Sequence, residues 1–354
     1  MLKFALIGCG RIAVRHSQLL GENHIKGAKL VAVCDPNLEK CIDIASKYNI
    51  PYYEDMHKMM LSEDIDVAVV LTPSGMHASN VIELSKYGKH IIVEKPMALK
   101  LKDADLMIEA CRKNKCLLFV VKQNRFNVPV KKLRQAIEKN RFGKIFMGTT
   151  RVRWARHQEY YDQDEWRGTW LNDGGVLTNQ ASHHIDLLEW MLGEVDSVFA
   201  RSTQAIAKIE TEDTAVVILN FKNGSLGIIE ATTATRPKDL EGSLSIMGEK
   251  GSVVIGGFSV NKMNTWNFED STADDKEVIE RFSENPPNVY GFGHKSYYDS
   301  VVDCINNDGK DIVDGKEGRK SLQLINAIYH SIETGKEVYM SSEIPETKLG
   351  NLKI

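Results

Sequence analysis

The chain has 354 residues, 42% of them apolar and 26% charged, with a formal net charge of -3. This is the composition of an ordinary globular protein long enough for two cores, and the charge balance excludes broad attraction to nucleic acid or acidic membranes. No apolar run reaches membrane-span length, no secretory-signal pattern opens the chain, and the six cysteines show neither C-x-x-C nor metal-ligand spacing, so a reduced, soluble, cytoplasmic protein without a bound metal is expected.

The first predicted element is an apolar strand over Lys3 to Ile7, which runs into Gly8-Cys9-Gly10-Arg11-Ile12-Ala13, a G-x-G-x-x-A pattern. In a strand-turn-helix unit the first glycine permits the tight turn, the second lets backbone approach a pyrophosphate, and the small Ala13 lets the helix pack closely. The helix N-terminus receives the pyrophosphate, with Arg11 adding a charge-assisted contact. Gly8, Gly10, Arg11 and Ile12 are therefore assigned to a dinucleotide. A second strand, Lys29 to Cys34, ends in Asp35, where an acid accepts hydrogen bonds from the adenosine ribose. Asp35 is followed by Pro36 and Asn37, with no arginine near it to take a 2′-phosphate, so NAD is expected rather than NADP.

Strand and helix then alternate. Asp66 to Leu71 reads as a strand, followed by Thr72-Pro73-Ser74 and a helix through about Tyr87; Thr72, Pro73 and His77 lie where a bound cofactor passes. The run Ile91-Ile92-Val93 reads as a fully buried parallel strand that ends in Glu94-Lys95-Pro96. In open α/β sheets ligands sit beyond the carboxyl ends of strands, so Glu94 and Lys95 emerge at the crevice, and Pro96 stops the strand. A helix over Lys102 to Lys113 and a strand over Cys116 to Val121 complete a doubly wound nucleotide domain of six strands, residues 1–122. Gln123-Asn124-Arg125-Phe126 is the expected crossing into a second domain, 123–354, and Gln123 is counted with the cofactor residues.

From Lys144 the pattern changes. Phe146 to Trp154 reads as a long strand with Arg151 and Arg153 on one face, and further strands are expected at Thr214 to Phe221, Ser225 to Ala231, Gly242 to Met247 and Ser252 to Ile255. Asn223-Gly224 and Gly248-Glu249-Lys250-Gly251 are turn signals between antiparallel neighbours. The second domain is thus expected to be α+β, a large, mostly antiparallel open sheet with helices on one face. Its terminal helices run roughly Gly293 to Asn307 and Lys316 to Thr334, its long loop is Asn261 to Asn288, and its exposed sheet face is a subunit interface, giving a homodimer or homotetramer.

Between these strands lies Asp173-Gly174-Gly175-Val176-Leu177-Thr178-Asn179-Gln180-Ala181-Ser182-His183-His184-Ile185-Asp186, expected to be a helix that starts at the glycines and ends near Leu192. On one continuous helix Asn179 and His183 share a face and can address one ligand, with His184 and Asp186 pointing elsewhere. Arg151, Arg153, Arg156 and His157, followed by Tyr160 and Tyr161, supply cations and stacking surfaces for an anionic ligand; Arg153 and Tyr160 are taken as substrate residues.

The G-x-G-x-x-A start, Glu94-Lys95-Pro96, and the Gly-Gly…His183…Ile185-Asp186-Leu187 segment together resemble the Gfo/Idh/MocA oxidoreductase family. The resemblance spans essentially the whole chain. It implies a Rossmann domain joined to an open-sheet α/β domain, and hydride transfer between a sugar or cyclitol and a nicotinamide cofactor. The family's lysine falls at Lys95 and its D-x-x-x-H pair at Asn179 and His183, where an amide replaces the carboxylate. Within the family, Trp166-Arg167-Gly168-Thr169-Trp170 with Asn179-Gln180-Ala181-Ser182-His183-His184 is most similar to bacterial enzymes that oxidise the C3 hydroxyl of UDP-N-acetylglucosaminuronate for surface polysaccharides such as lipopolysaccharide. That resemblance implies His183 as base, Lys95 stabilising the alkoxide, Asn179 and His184 at the UDP-sugar, and Trp166 and Arg167 beside the cofactor. The rivals are a dehydrogenase of a free sugar or inositol, and a non-catalytic NAD-sensing regulator on the same fold.

Overall fold

The computed structural model describes residues 1–283, 291–307, 309 and 313–351. The chain divides into two compact units, Met1–Lys122 with Lys295–Lys320, and Gln123–His294 with Ser321–Ile354. The single expected cut after residue 122 therefore omits a return of the chain: Lys295–Lys320 packs in the first unit, where Tyr298 makes an edge-to-face contact with Phe4 and Arg319 pairs with Asp105.

In the first unit the strands are β1 (Leu2–Ile7), β2 (Ala28–Cys34), β3 (Tyr52–Tyr53), β4 (Val67–Val70), β5 (His90–Val93) and β6 (Leu118–Val120), in sheet order β3-β2-β1-β4-β5-β6 and all parallel. The helices are α1 (Ala13–Gly21), α2 (Leu38–Tyr48), α3 (Met56–Ser62), α4 (His77–Ser85) and α5 (Leu101–Lys113). Residues 4–7 of β1, 67–70 of β4 and 91–93 of β5 are all buried, which explains their unbroken apolar runs: a parallel sheet is covered on both faces. Strand order reverses between β1 and β4, so the crevice past their carboxyl ends is the switch point at which doubly wound sheets bind nucleotides.

The second unit holds β7 (Ile145–Arg153), β8 (Val195–Thr203), β9 (Thr214–Phe221), β10 (Leu226–Thr232), β11 (Glu241–Gly248), β12 (Gly251–Gly256), β13 (Lys262–Phe268) and β14 (Val338–Tyr339), ordered β13-β12-β11-β7-β10-β9-β8-β14. Only the β7–β10 pair is parallel. Its helices include α6 (Val128–Glu138), α7 (Gln158–Asp162), α8 (Ser182–Leu192) and α9 (Val278–Arg281); α10 (Gly293–Asn307) and α11 (Gly315–Thr334) follow in the chain. Helix α8 lies against β7, where a Cβ on Gly148 would come within 2.7 Å of Leu192 and 2.8 Å of Leu188. The missing side chain is what lets helix and sheet approach so closely.

Two expectations need correction here. The long loop expected at Asn261 to Asn288 contains β13, a 3₁₀ turn over Ala273–Glu277, and α9; residues 284–288 lie outside the described residues. The sequence does not show the strand because a register shift in the β12–β13 pair puts the buried Met263 and Trp266 three residues apart and breaks the period of two. The helix expected to start at the glycines begins only at Ser182; before it the chain makes successive turns, with Gly174 at φ +86° and the Ala181 N–H donating to the Val176 carbonyl, one residue too far back for an α-helix.

Candidate active site

In the first unit the glycine loop follows β1. Gly8 has φ +97°, and a Cβ there would lie 2.8 Å from the Leu71 carbonyl carbon and oxygen, so only glycine fits between the ends of β1 and β4. Gly10 differs: a Cβ on it would meet no protein atom within 4 Å. Its bareness is not demanded by the protein's own packing, and the space leaves room for a pyrophosphate to approach the backbone. Ala13 is fully buried where α1 meets the sheet, and Arg11 is exposed.

Asp35 ties this loop to β2. One carboxylate oxygen accepts the Cys9 N–H at 2.8 Å and the other accepts the Asn37 N–H at 2.8 Å. Each oxygen retains a second lone pair for a ribose hydroxyl. The residues present therefore fit a dinucleotide carrying a free 2′-hydroxyl.

At the end of β5, Glu94 is buried; one oxygen lies 3.1 Å from His16 Nε2 and the other accepts the Lys95 N–H at 2.9 Å. His16 Nδ1 lies 2.6 Å from the Tyr298 hydroxyl, so Glu94 is anchored from behind and holds the backbone from which the half-buried Lys95 side chain springs. The Lys95–Pro96 peptide is cis. Thr72 donates its hydroxyl to Asn80 Oδ1 at 2.9 Å, and Pro73 caps the 3₁₀ turn that precedes α4.

His77 takes a different part from the one expected. It is 1% exposed, with Nδ1 2.8 Å from the Pro96 carbonyl and Nε2 2.8 Å from the Thr72 carbonyl. Both ring nitrogens are committed to backbone, so His77 braces the Thr72 and Pro96 loops instead of presenting a nitrogen to a cofactor. Burial pushes its pKa down, while the two carbonyls favour the protonated ring.

In the second unit Asn179 is half-buried and Nδ2 donates to Asp173 Oδ1 at 2.6 Å; His183 follows four residues later in the first turn of α8. Asn179 itself lies in the turns before α8, so the two do not share one continuous helical face. His184 points into the core, edge-on to Trp154 at 5.9 Å, and burial lowers its pKa to about 4. At 1% exposure and packed on Trp154, His184 takes a core position in place of the substrate contact expected at 184. Asp186 is 1% exposed and forms a two-pronged pair with Arg125, Nε to Oδ2 at 2.7 Å and Nη2 to Oδ1 at 2.8 Å, while the guanidinium lies over Trp190. Gln123 is 7% exposed and its Oε1 is buried without a hydrogen-bond partner among the described residues.

The cations expected on β7 are corrected too. Gly148 and the buried Thr150 and Val152 form the face of β7 under α8, and Arg151 and Arg153 lie on the other face. There Arg153 binds Glu230 through Nε at 2.5 Å and Nη2 at 2.7 Å and approaches Glu241 at 3.3 Å, and Arg151 sits 3.7 Å from each acid. Arg153 is thus neutralised on the sheet face opposite the histidine helix. The cations that do gather near Asn179 are Arg156 and Arg167, which lie over the Tyr160 ring at 5.5 and 4.6 Å. The Tyr160 hydroxyl accepts from Arg167 Nη1 at 2.9 Å and from Gln180 Nε2 at 3.4 Å, and Arg167 also covers Trp166. Tyr160, Trp166 and Arg167 therefore form one cluster with the turn that carries Asn179. Arg156, expected as one of the cations, belongs to it as well, and so does Gln180, which sequence alone does not assign because its partner Tyr160 lies twenty residues away.

Two family models match the chain: the NAD-binding Rossmann fold of an oxidoreductase family over residues 2–122, and that family's C-terminal alpha/beta domain over 134–340. The chain belongs to the Gfo/Idh/MocA oxidoreductase family. It is similar to the WlbA dehydrogenase of Bordetella pertussis in complex with NADH and UDP-GlcNAcA, at 39% identity and TM-score 0.89 over 97% of this chain and 99% of that one. The WlbA dehydrogenase of Chromobacterium violaceum, in a complex with the same two ligands, is 42% identical with TM-score 0.89 over 96% of this chain and 95% of its own. Among curated relatives, the myo-inositol 2-dehydrogenase of Thermotoga maritima is 27% identical over 97% of this chain and 100% of its own. This Gfo/Idh/MocA protein is accordingly an NAD-dependent oxidoreductase acting on a CH–OH group of a sugar or polyol.

Proposed function

We propose that this protein oxidises the C3 hydroxyl of UDP-N-acetylglucosaminuronate to the 3-keto sugar, a step toward modified uronic acids of bacterial surface polysaccharides. The observation that carries the reading is the 39% and 42% identity, over nearly the full chain, to two dehydrogenases crystallised with NADH and UDP-GlcNAcA, against 27% to the inositol enzyme. The cluster of Tyr160 and Trp166 supports it, since a nucleobase welcomes aromatic faces and an inositol needs none; Arg156 and Arg167 hold these rings while paired with Asp239 at 3.0 Å and Asp164 at 2.9 Å.

When bound, NAD supplies the hydride acceptor. His183 takes the proton of the C3 hydroxyl, as the side chain suited to general-base work near neutral pH. Lys95 orients that hydroxyl and stabilises the negative charge that develops on its oxygen. Asn179 holds a neighbouring group of the sugar by hydrogen bonding. C3 gives up its hydrogen as a hydride, which NAD would accept, and the hydroxyl gives up its proton to His183, so the C3–O single bond becomes the carbonyl of the ketone. Screening UDP-sugars, free sugars and inositols for a change in nicotinamide absorbance tests the reading. The UDP-linked uronate is expected to be oxidised with the highest kcat/KM; a free inositol or sugar turned over more efficiently would replace it with the polyol reading.

We also propose that the protein is a homo-oligomer joined through the open face of its second sheet. Val216 and Ile218 on β9, Leu226 on β10 and Tyr339 on β14 are 49–51% exposed, an unusual density of large apolar side chains on one surface.

A further inference from the structure

The carboxylate that the family pattern places four residues before the histidine is an amide here, Asn179. A carboxylate nevertheless touches that position. Asp173 is 2% exposed, its Oδ1 accepts from Asn179 Nδ2 at 2.6 Å, and its Oδ2 accepts the Gly168 N–H at 2.8 Å. Gly168 has φ +67° and Gly174 has φ +86°, and these two left-handed positions fold the Trp166–Gly168 segment and the Gly-Gly turn around the Asp173 side chain.

We propose that Asp173 is a positioning residue of the active site, fixing the polarity of Asn179 so that its carbonyl oxygen, not its amide nitrogen, reads the substrate. The reasoning is one of donors and acceptors. An ionised carboxylate only accepts, so the Asn179 atom facing it is the NH2 group, and the amide oxygen points to the other side of the side chain. An amide free to rotate presents donor or acceptor indifferently, and Asp173 removes that choice. The charge-assisted bond also polarises the amide along its length, which makes the oxygen at its far end a better acceptor. The group so recognised is a hydrogen-bond donor, as a sugar hydroxyl or an acetamido N–H is. Asp173 thus supplies to the site the directional effect of a carboxylate. This inference rests on the reading of Asn179 as a substrate residue.

The test is a polarity swap. Asp173→Asn sets two amides face to face and lets Asn179 turn its NH2 group outward; its Oδ1 still accepts from Gly168, so the turn survives. Asn179→Asp sets two carboxylates face to face. Each single variant is expected to lose about ten- to a hundredfold in kcat/KM for the UDP-linked uronate, the scale of one charge-assisted hydrogen bond. The double variant Asp173→Asn/Asn179→Asp lets an amide donate to a carboxylate again, with an acceptor oxygen facing outward, and is expected to recover to within about threefold of the parent. A double variant no better than the worse single one would overturn the proposal, since a merely structural role for Asp173 predicts additive losses. NAD affinity serves as the control for folding. In parallel, NMR of the unmodified protein labelled at asparagine nitrogens should show one Asn179 side-chain amide proton shifted far downfield and protected from exchange. An ordinary, freely exchanging pair of signals would overturn the proposal even if every variant failed to fold. Should the parent oxidise no UDP-sugar, the functional reading fails on its own account, while the NMR result still decides the Asp173–Asn179 contact.

Discussion

Glu212 sits behind the turn that leads to Asn179, and its titration makes a sharp prediction. One oxygen accepts from the Leu177 N–H at 3.0 Å and from the Tyr329 hydroxyl at 2.9 Å, and the other, Oε2, is buried with no partner among the described residues. A Cβ on Gly175 would fall 2.3 Å from the carboxyl carbon, so the group has no room to swing toward solvent. Burial raises its pKa to about 7, the hydrogen bonds oppose that rise, and the charge on Asp173 adds to it. The folded state therefore binds its proton more tightly than the unfolded chain, where the group titrates near 4.5. By linkage, this group costs nothing below pH 4.5, and stability falls as pH rises from there to about 7 and is flat beyond. A shift of about 2.5 pH units corresponds to roughly 3 kcal/mol. Glu212→Gln mimics the protonated form and keeps the acceptor for Leu177 and Tyr329. Urea unfolding at pH 5 and pH 8 should show the variant about equal to the parent at pH 5 and more stable at pH 8, by up to about 3 kcal/mol. Parallel pH profiles, or a variant less stable at pH 8, would refute the reasoning.

Four further outcomes are expected. Asp186→Ala removes the two-pronged partner of the buried Arg125 guanidinium and should destabilise the second unit by about 3–5 kcal/mol in denaturant unfolding, with less lost when both partners are removed. Asp35→Ala deletes two backbone anchors of the glycine loop as well as the ribose acceptor; calorimetry should show weaker NAD binding and a narrower gap between NAD and NADP, and equal affinities in the parent would contradict the role of Asp35. Lys95→Ala and His183→Ala should each keep NAD binding and lower turnover by about 10²–10⁴-fold, measured at saturating sugar nucleotide. Ile218→Glu places a charge in the exposed sheet face and should dissociate the oligomer in light scattering without lowering the melting temperature of the subunit.

What the sequence carries by itself is local. The strand and turn at Lys3 to Ala13, the acid ending β2 and the Glu94-Lys95-Pro96 strand end each carry their meaning within a few residues, because turns and buried parallel strands constrain neighbours in the chain. The period of two placed Arg151 and Arg153 on a common face correctly. It did not tell which face the histidine helix covers. That choice is made by Gly148, Thr150 and Val152, whose small and apolar side chains accept α8, and by Glu230 and Glu241, which come from two other strands to neutralise the arginines. The unbroken helix assumed from Gly174 to Leu192 fails because a left-handed glycine and an overlong turn precede Ser182, features of backbone geometry that periodicity does not register.

Every residue that emerged only from the tertiary structure depends on a partner brought near by folding. Asp173 matters because two left-handed glycines bend Gly168 and Asn179 onto its two oxygens, and Gln180 matters because it reaches the Tyr160 hydroxyl. Lys295–Lys320 belongs with the first unit because Tyr298 fills the space beside Phe4 and His16. Hydrogen-bond polarity, which sheet face is covered and which neighbour neutralises a charge are properties of pairs of residues. A linear pattern specifies each member of such a pair, and only the folded chain specifies the pairing.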